Sequence, residues 1–301
     1  MKISIIGLGK MGSQIARKLH ENGHTVIAHN RSAQSIDEMK VLGMIGAYTK
    51  EEVISLFGNE KVIIWLMIPS ETVDAELNIW LKLIPKESII IDGGNSKFSD
   101  TKRREKLVAE NGSIFIDVGT SGGIWGYENG FSMMIGGDKI SFEIIEPIFE
   151  ALKAPNGMYQ YFGESGSGHY VKMVHNAIEY GMMESLAEGY RLLKEGPYKN
   201  LDLYKAGEVW QHHSVITSWL NELTKDIMKN NPNQDGVTGY VAESGEARWA
   251  LEVAKDFNIE TSAIQASFDV RLASQKGNVN FATKILASMR NSFGGHNTNK
   301  K

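Results

Sequence analysis

Four polar residues recur at helical spacing just past the middle of the chain: Lys172, His175, Asn176 and Glu179, at i, i+3, i+4 and i+7. In a helix that spacing stacks them on one face. A lysine and a glutamate on one surface can act as base and acid in the same reaction. The base role needs the neutral amine, a form that burial or a nearby cation favours. The stretch over 166–180 reads as a helix, with Val171, Val174, Ile178 and Met182 on another face as its packing side. A solvated polar face would show the same pattern, so the rest of the chain has to discriminate.

A second constellation opens the sequence. Lys2–Ile6 is a short apolar run that reads as a buried strand, and Gly7-Leu8-Gly9-Lys10-Met11-Gly12 follows at once. Helical spacing over 13–22 and a second strand over 25–28 complete the context in which G-x-G-x-x-G means dinucleotide binding. The first glycine allows the tight turn, the second lets the backbone approach a pyrophosphate, and the third lets helix and strand pack closely. An NAD enzyme usually carries Asp or Glu at the end of the second strand, on the ribose 2′-hydroxyl. Here His29 is followed by Asn30, Arg31 and Ser32, with no carboxylate. A 2′-phosphate would find a guanidinium and small polar groups, so NADP is expected over NAD, with NAD still possible.

Strand and helix patterns then alternate. Apolar runs over 61–67, 88–92, 113–118, 131–135 and 158–162 read as strands, with helical spacing over 33–42, 51–57, 71–83, 99–110 and 139–152. This predicts an α/β domain with a parallel, doubly wound sheet of Rossmann type over 1–163. Ligands of such sheets collect at the carboxyl ends of strands. Met67, the Asp92-Gly93-Gly94-Asn95-Ser96 turn and the Gly119-Thr120-Ser121-Gly122-Gly123 turn all stand at such ends. From 164 to 301 the pattern is helical throughout, an all-α domain, with Gly163–Gly168 as a hinge and a polar tail over 297–301 without expected structure.

Composition narrows the partners. A formal net charge of −4 gives no reason to expect nucleic acid or an anionic membrane. No apolar run is long enough for a spanning helix. The absence of cysteine excludes disulfides and thiolate chemistry, fits a reducing compartment, and leads us to expect a cytoplasmic protein. The adjacent pair His212-His213 cannot face one ion from one side of a helix, and no H-E-x-x-H occurs, so no metal is expected.

Several stretches together resemble the decarboxylating 6-phosphogluconate dehydrogenase family, in a short form that lacks most of the long helical duplication. They are GLGKMG, HNRS, IDGGNSKFSDTKRR, TSGGIWGYENGFSMMIGG, GSGHYVKMVHNAIEYG, GEARWA, FDVRLAS and MRNSFGGH. The glycine loop and a lysine on the long helix belong to the wider β-hydroxyacid dehydrogenase superfamily; DGGNS and KMVHNAIEY are much narrower. The resemblance implies oxidative decarboxylation of 6-phosphogluconate in the pentose phosphate pathway and gluconate utilization. It implies Lys172 as general base and Glu179 as general acid. Ser121, Gly122 and Gly123 would line the substrate site, His175 and Asn176 would touch the sugar acid, and Asn95 would sit between substrate and nicotinamide. Tyr180, Arg248 and Arg271 would surround the 6-phosphate. Arg290 and His296 of the MRNSFGGH element would complete that pocket, in the family reaching across from a second subunit of a homodimer. Arg248 stands where the longer relatives commonly have lysine, so the charge is kept while the shape differs. Another NAD(P)-dependent dehydrogenase or reductase of a 3-hydroxy acid on this scaffold is the alternative enzyme. A redox-sensing NADP-binding regulator is the non-enzymatic one, with no reason to keep Lys172 and Glu179 together.

Overall fold

The structure, a computed structural model, describes residues 1–298. It divides into two units, Met1–Lys172 and Met173–Lys301.

The first unit alternates strand and helix. In chain order it has β1 (Lys2–Ile6), α1 (Lys10–Glu21), β2 (Thr25–His29), α2 (Ala33–Val41), β3 (Ile45–Ala47), α3 (Lys50–Phe57), β4 (Ile63–Leu66) and α4 (Ser70–Trp80). There follow β5 (Ile89–Asp92), α5 (Phe98–Glu110), β6 (Ile114–Ser121), a 3-10 turn (Gly123–Trp125), α6 (Gly126–Asn129), β7 (Ser132–Gly137), α7 (Lys139–Lys153) and β8 (Tyr159–Gly163). The strands form one sheet in the order β3-β2-β1-β4-β5-β6-β7-β8. Helices cover both faces, so the central strand β4, Ile-Ile-Trp-Leu, is apolar at every position rather than at alternate ones. Ile63, Trp65, Ile89 and Ile91 join the core on one face, and Ile64, Leu66, Ile90 and Phe115 the core on the other. The order of strands reverses at β1 and β4, and the glycine loop leaves β1 at that point.

Three details depart from the sequence reading. β3 is absent from that reading: three residues with a central glycine are too few to show a periodicity. The sheet is not parallel throughout, because β7 runs antiparallel to β6. Residues 122–131 hold only the 3-10 turn and α6, too little chain for the crossover that a parallel partner needs, so the strand returns directly. The helix expected over 166–180 does not stop there but runs on as a single element, α8 (Ser167–Glu195).

The division between units falls inside α8. The second unit continues with α9 (Leu203–Gln211), α10 (Trp219–Asn230), α11 (Glu246–Asp256), α12 (Ser262–Gln275) and α13 (Phe281–Gly294). Side-chain caps start several of these: Asp202, Ser218 and Asn280 each accept a backbone N–H of the following turn. The buried stripe of α8 in this unit is Met173, Ala177, Tyr180, Met183, Ala187 and Tyr190, at steps of three and four. The stripe expected to pack is instead the outer one. Val171 and Val174 are half-buried, and Ile178 and Met182 are 51% and 45% exposed. Apolar residues occupy two faces of this helix, and within one chain only the Met173–Tyr190 face is covered. At the carboxyl end, the Thr298 carbonyl accepts from the Thr238 backbone N–H and hydroxyl, so the tail is tied down that far; 299–301 lie outside the described residues.

Candidate active site

In the first unit the glycine loop has the geometry its spacing predicts. Gly7 has φ +96°, and a Cβ there would stand 2.5 Å from the Met67 carbonyl oxygen. A Cβ on Gly12 would stand 2.0 Å from the Gly7 carbonyl oxygen. Above Gly9, by contrast, a Cβ would meet nothing within 4 Å, and no side chain caps α1. Backbone N–H groups at the start of α1 are thus open to an anionic group, and the loop fits a dinucleotide pyrophosphate. Of the other loop candidates, Leu8 is buried, Lys10 is exposed and Met11 is half-buried. At the end of β2, Asn30 Oδ1 accepts the Leu8 backbone N–H at 3.2 Å, which ties the second strand to the loop. Arg31 and Ser32 are exposed, and Arg31 makes no ion pair among the described residues. The Met67 sulfur accepts the Trp65 indole N–H at 3.1 Å.

The DGGNS turn is held from beneath. Asp92, fully buried, accepts from the Gly94 backbone N–H at 3.1 Å and the Ser96 hydroxyl at 2.7 Å. Arg104, 1% exposed, donates to Ser96 Oγ, to both Asp74 oxygens and to the Ser70 carbonyl. The guanidiniums of Arg103 and Arg104 hold the Asp74 carboxyl at about 2. Asn95, between the two anchored residues Gly94 and Ser96, is exposed. At the end of β6, Ser121, Gly122 and Gly123 are half-exposed, with Gly122 at φ +139°.

Lys172 is 7% exposed. A Cβ on Gly119 would lie 2.3 Å from the Lys172 Cβ and 3.0 Å from its Cγ, so the lysine stem crosses β6 where the strand has no side chain. The first turn of α8 is fixed by Asp117 of β6, fully buried, whose two oxygens accept the Gly166 N–H at 2.7 Å and the His169 N–H at 2.9 Å. Asp117 and Gly119 thus position Lys172, and sequence reasoning singles out neither for that task. The alternation Asp-x-Gly before the T-S-G-G turn is the available signal.

The second unit gathers residues from four helices. His175 Nδ1 lies 2.8 Å from Asn176 Oδ1, and Asn176 Nδ2 donates to Glu246 Oε1 at 2.8 Å. Glu179 is half-buried and Tyr180 is 3% exposed. The Arg271 guanidinium lies over the Tyr180 ring, 3.2 Å from its centre, with Met183 Sδ at 3.4 Å. Arg271 is 2% exposed and Arg290 is 9% exposed, and each lies within the field of Tyr180 and Glu179. Burial lowers the Arg271 guanidinium to about 10 and also lowers Arg290, yet both remain cations at neutral pH. Neither makes an ion pair with a carboxylate among the described residues. The other two phosphate candidates differ. Arg248 is half-exposed, bonded to Glu243 at 2.5 Å and stacked over Phe268. His296 is exposed just past the end of α13. The structure therefore brings Tyr180, Arg271 and Arg290 together within one chain, while Arg248 is engaged with Glu243.

Comparison with known proteins bears on both units. Residues 2–163 match the family model for the NAD binding domain of 6-phosphogluconate dehydrogenase, and residues 168–300 match the one for the 6-phosphogluconate dehydrogenase C-terminal domain. A Bacillus subtilis protein named "Putative 6-phosphogluconate dehydrogenase YqeC" is 40% identical over 301 residues, covering 100% of both chains. The NAD(+)-dependent, decarboxylating 6-phosphogluconate dehydrogenase of Haloferax volcanii is 33% identical over 303 residues, covering 100% of this chain and 99% of that one. Among solved structures, Plasmodium falciparum 6-phosphogluconate dehydrogenase, determined apo, with NADP+ and with 6-phosphogluconate, aligns at TM-score 0.83 and 29% identity. That alignment covers 99% of this chain and 66% of the other. A Mycobacterium tuberculosis 3-hydroxyisobutyrate dehydrogenase aligns at TM-score 0.75 and 18% identity over 95% of this chain and 98% of its own, a likeness of fold. With family models on both units and relatives matched from end to end, this chain belongs to the 6-phosphogluconate dehydrogenase family.

Proposed function

We propose that this chain oxidises and decarboxylates 6-phospho-D-gluconate to D-ribulose 5-phosphate and carbon dioxide, with NADP preferred over NAD as the acceptor. The observation that carries this reading is the pair of buried guanidiniums, Arg271 and Arg290, beside Tyr180 and without a paired carboxylate among the described residues. Two cations buried near each other are costly unless an anion joins them. A phosphate dianion compensates both; an unphosphorylated 3-hydroxy acid brings only its one carboxylate, the group that a decarboxylation consumes.

When bound, the nicotinamide supplies the acceptor for the hydride leaving C3 of the sugar acid. Lys172 takes the C3 hydroxyl proton as that hydride departs. The resulting ammonium then donates to the new ketone oxygen. Polarised in this way, the β-keto acid releases its carboxylate as carbon dioxide, and the electron pair forms an enediol. Glu179, in its acid form, protonates the carbon that lost the carboxylate, while Lys172 recovers the enediol proton. Ser121, Gly122, Gly123, His175, Asn176 and Asn95 orient the sugar acid, and Tyr180, Arg271 and Arg290 hold its phosphate. Lys172 and Glu179 are two turns apart on α8, the spacing that puts both on one face.

The NADP preference rests on the missing carboxylate after β2 and on exposed Arg31. Relatives at the same 33% identity are named NAD(+)-dependent in Haloferax volcanii and NADP(+)-dependent in Bacillus subtilis, so family membership alone does not choose the cofactor. Initial rates with 6-phosphogluconate and each cofactor, with carbon dioxide trapped, test both parts. Reduced cofactor and carbon dioxide in equal amounts, and a larger kcat/KM with NADP, are expected. Reduced cofactor without carbon dioxide would overturn the decarboxylation, and a larger kcat/KM with NAD the preference.

The protein is proposed to act as a homodimer in the cytoplasm, within the pentose phosphate pathway. The uncovered stripe of α8, with Ile178 and Met182 exposed, gives a second subunit an apolar face to bury. A fully active monomer by light scattering would contradict the dimer.

A further inference from the structure

Touching a substrate does not by itself say whether His175 gives or accepts a hydrogen bond. In the structure that is decided by a third residue. Glu246, the first residue of α11, is 2% exposed. Its Oε1 lies 2.8 Å from Asn176 Nδ2. A carboxylate has no proton to give, so the amide nitrogen of Asn176 must face it. The Asn176 carbonyl is then turned toward His175, and Oδ1 lies 2.8 Å from Nδ1. A carbonyl oxygen only accepts, so the imidazole proton sits on Nδ1 and the lone pair of the neutral ring sits on Nε2.

We propose that Glu246 is a positioning residue for the reaction: acting through Asn176, it holds His175 as the Nδ1–H tautomer, so that Nε2 meets a substrate hydroxyl as an acceptor. The role in substrate contact rests on the functional reading above; the tautomer rests on the three side chains alone. Two further features fit. Glu246 stands at the start of α11, where helix N–H groups favour an anion, and within the field of the Arg290 guanidinium. Its other oxygen, Oε2, is buried with no hydrogen-bond partner among the described residues. A glutamate kept only to cap α11 would use its oxygens on backbone N–H groups; this one spends its one described side-chain bond on Asn176.

The test uses the full-length enzyme. Long-range proton–nitrogen spectra of 15N-histidine-labelled protein at about pH 8, where an ordinary histidine is neutral, report which ring nitrogen carries the proton. His175→Gln identifies the signal. Wild type is expected to show a protonated Nδ1 and a bare Nε2. Glu246→Leu, which removes the acceptor, is expected to lose that preference and to lower kcat/KM for 6-phosphogluconate about tenfold or more, with the KM for NADP within about twofold. Glu246→Gln keeps an acceptor oxygen and is expected to restore the tautomer and to bring the rate within about threefold of wild type. A wild-type His175 protonated on Nε2 overturns the proposal, and so does a Glu246→Leu enzyme with unchanged tautomer and rate. Should Glu246→Leu fail to fold, Glu246→Ala decides. It too removes the acceptor that orients the Asn176 amide, so an unchanged His175 signal there overturns the proposal and a changed one supports it. A wild type that shows the expected tautomer yet fails to turn over 6-phosphogluconate sinks the functional reading and leaves the Glu246–Asn176–His175 relay standing.

Discussion

The two units of this chain assemble their candidate residues in different ways. The sheet unit takes them from the ends of neighbouring strands: the glycine loop after β1, Asn30 and Arg31 after β2, Met67 after β4, the DGGNS turn after β5 and the T-S-G-G turn in β6. The DGGNS turn, for one, is held by short-range bonds from Asp92 to Gly94 and Ser96. The helical unit takes them from α8, α11, α12 and α13, and joins them by contacts between residues far apart in sequence, such as Asn176 with Glu246 and Tyr180 with Arg271. The first construction suits a ligand gripped by backbone N–H groups. The second suits an anion gripped by side chains that must be buried to be effective.

The sharpest way to break that contrast is at Lys172, in the second turn of α8. Lys172→Ala is expected to lower kcat about a thousandfold or more, the scale of a lost general base, while the Kd for NADP stays unchanged. A comparable loss of cofactor affinity would show that the lysine belongs to the dinucleotide grip. Gly119→Ala probes the same lysine without touching it. The added Cβ would stand 2.3 Å from the Lys172 Cβ, so the amine must move, and a displacement of about an ångström costs about a hundredfold in rate. Stopped-flow titration with NADP should find binding intact. A Gly119→Ala enzyme as fast as wild type would mean that the lysine stem does not cross β6 there.

How legible each unit is in the sequence follows from the same contrast. The glycine loop, the alternating strands and the turn residues are readable because each acts within a few residues of itself. β3 escapes because it is too short to have a period, and the antiparallel β7 because strand direction depends on what the connection can span. In the helical unit, spacing gives the polar face of α8 but points to the wrong stripe as its packing side. Two apolar stripes flank that face, and only tertiary contact chooses between them. Arg248 and Arg271 look alike as residues; burial under Tyr180 separates the second from the first, which is half-exposed and bonded to Glu243. Glu246 gives no signal at all, since its partner is 70 residues away.

A smaller effect sharpens the picture of the helical unit. Burial, with Glu188 adding to it and Arg271 opposing, raises the Glu184 carboxyl to about 7. The folded protein thus keeps a proton that the unfolded chain has already released. The stabilisation is fully present below the ordinary carboxylate range and is lost as pH rises to about 7, by at most about 1.4 kcal/mol per pH unit. Urea midpoints across that range should fall with pH in wild type and flatten in Glu184→Gln. Parallel slopes in the two proteins would remove Glu184 as the cause.

The most direct test of the account is to measure kcat/KM for 6-phosphogluconate and for gluconate, with NADP saturating, in wild type and in Arg271→Met. A charge-assisted contact to phosphate makes the wild type favour the phosphorylated acid strongly, and its loss should cut that preference about tenfold to a hundredfold. The KM for NADP and the rate with gluconate should stay close to wild type. Equal discrimination in the two proteins would contradict the phosphate pocket, and with it the assignment of 6-phosphogluconate as substrate.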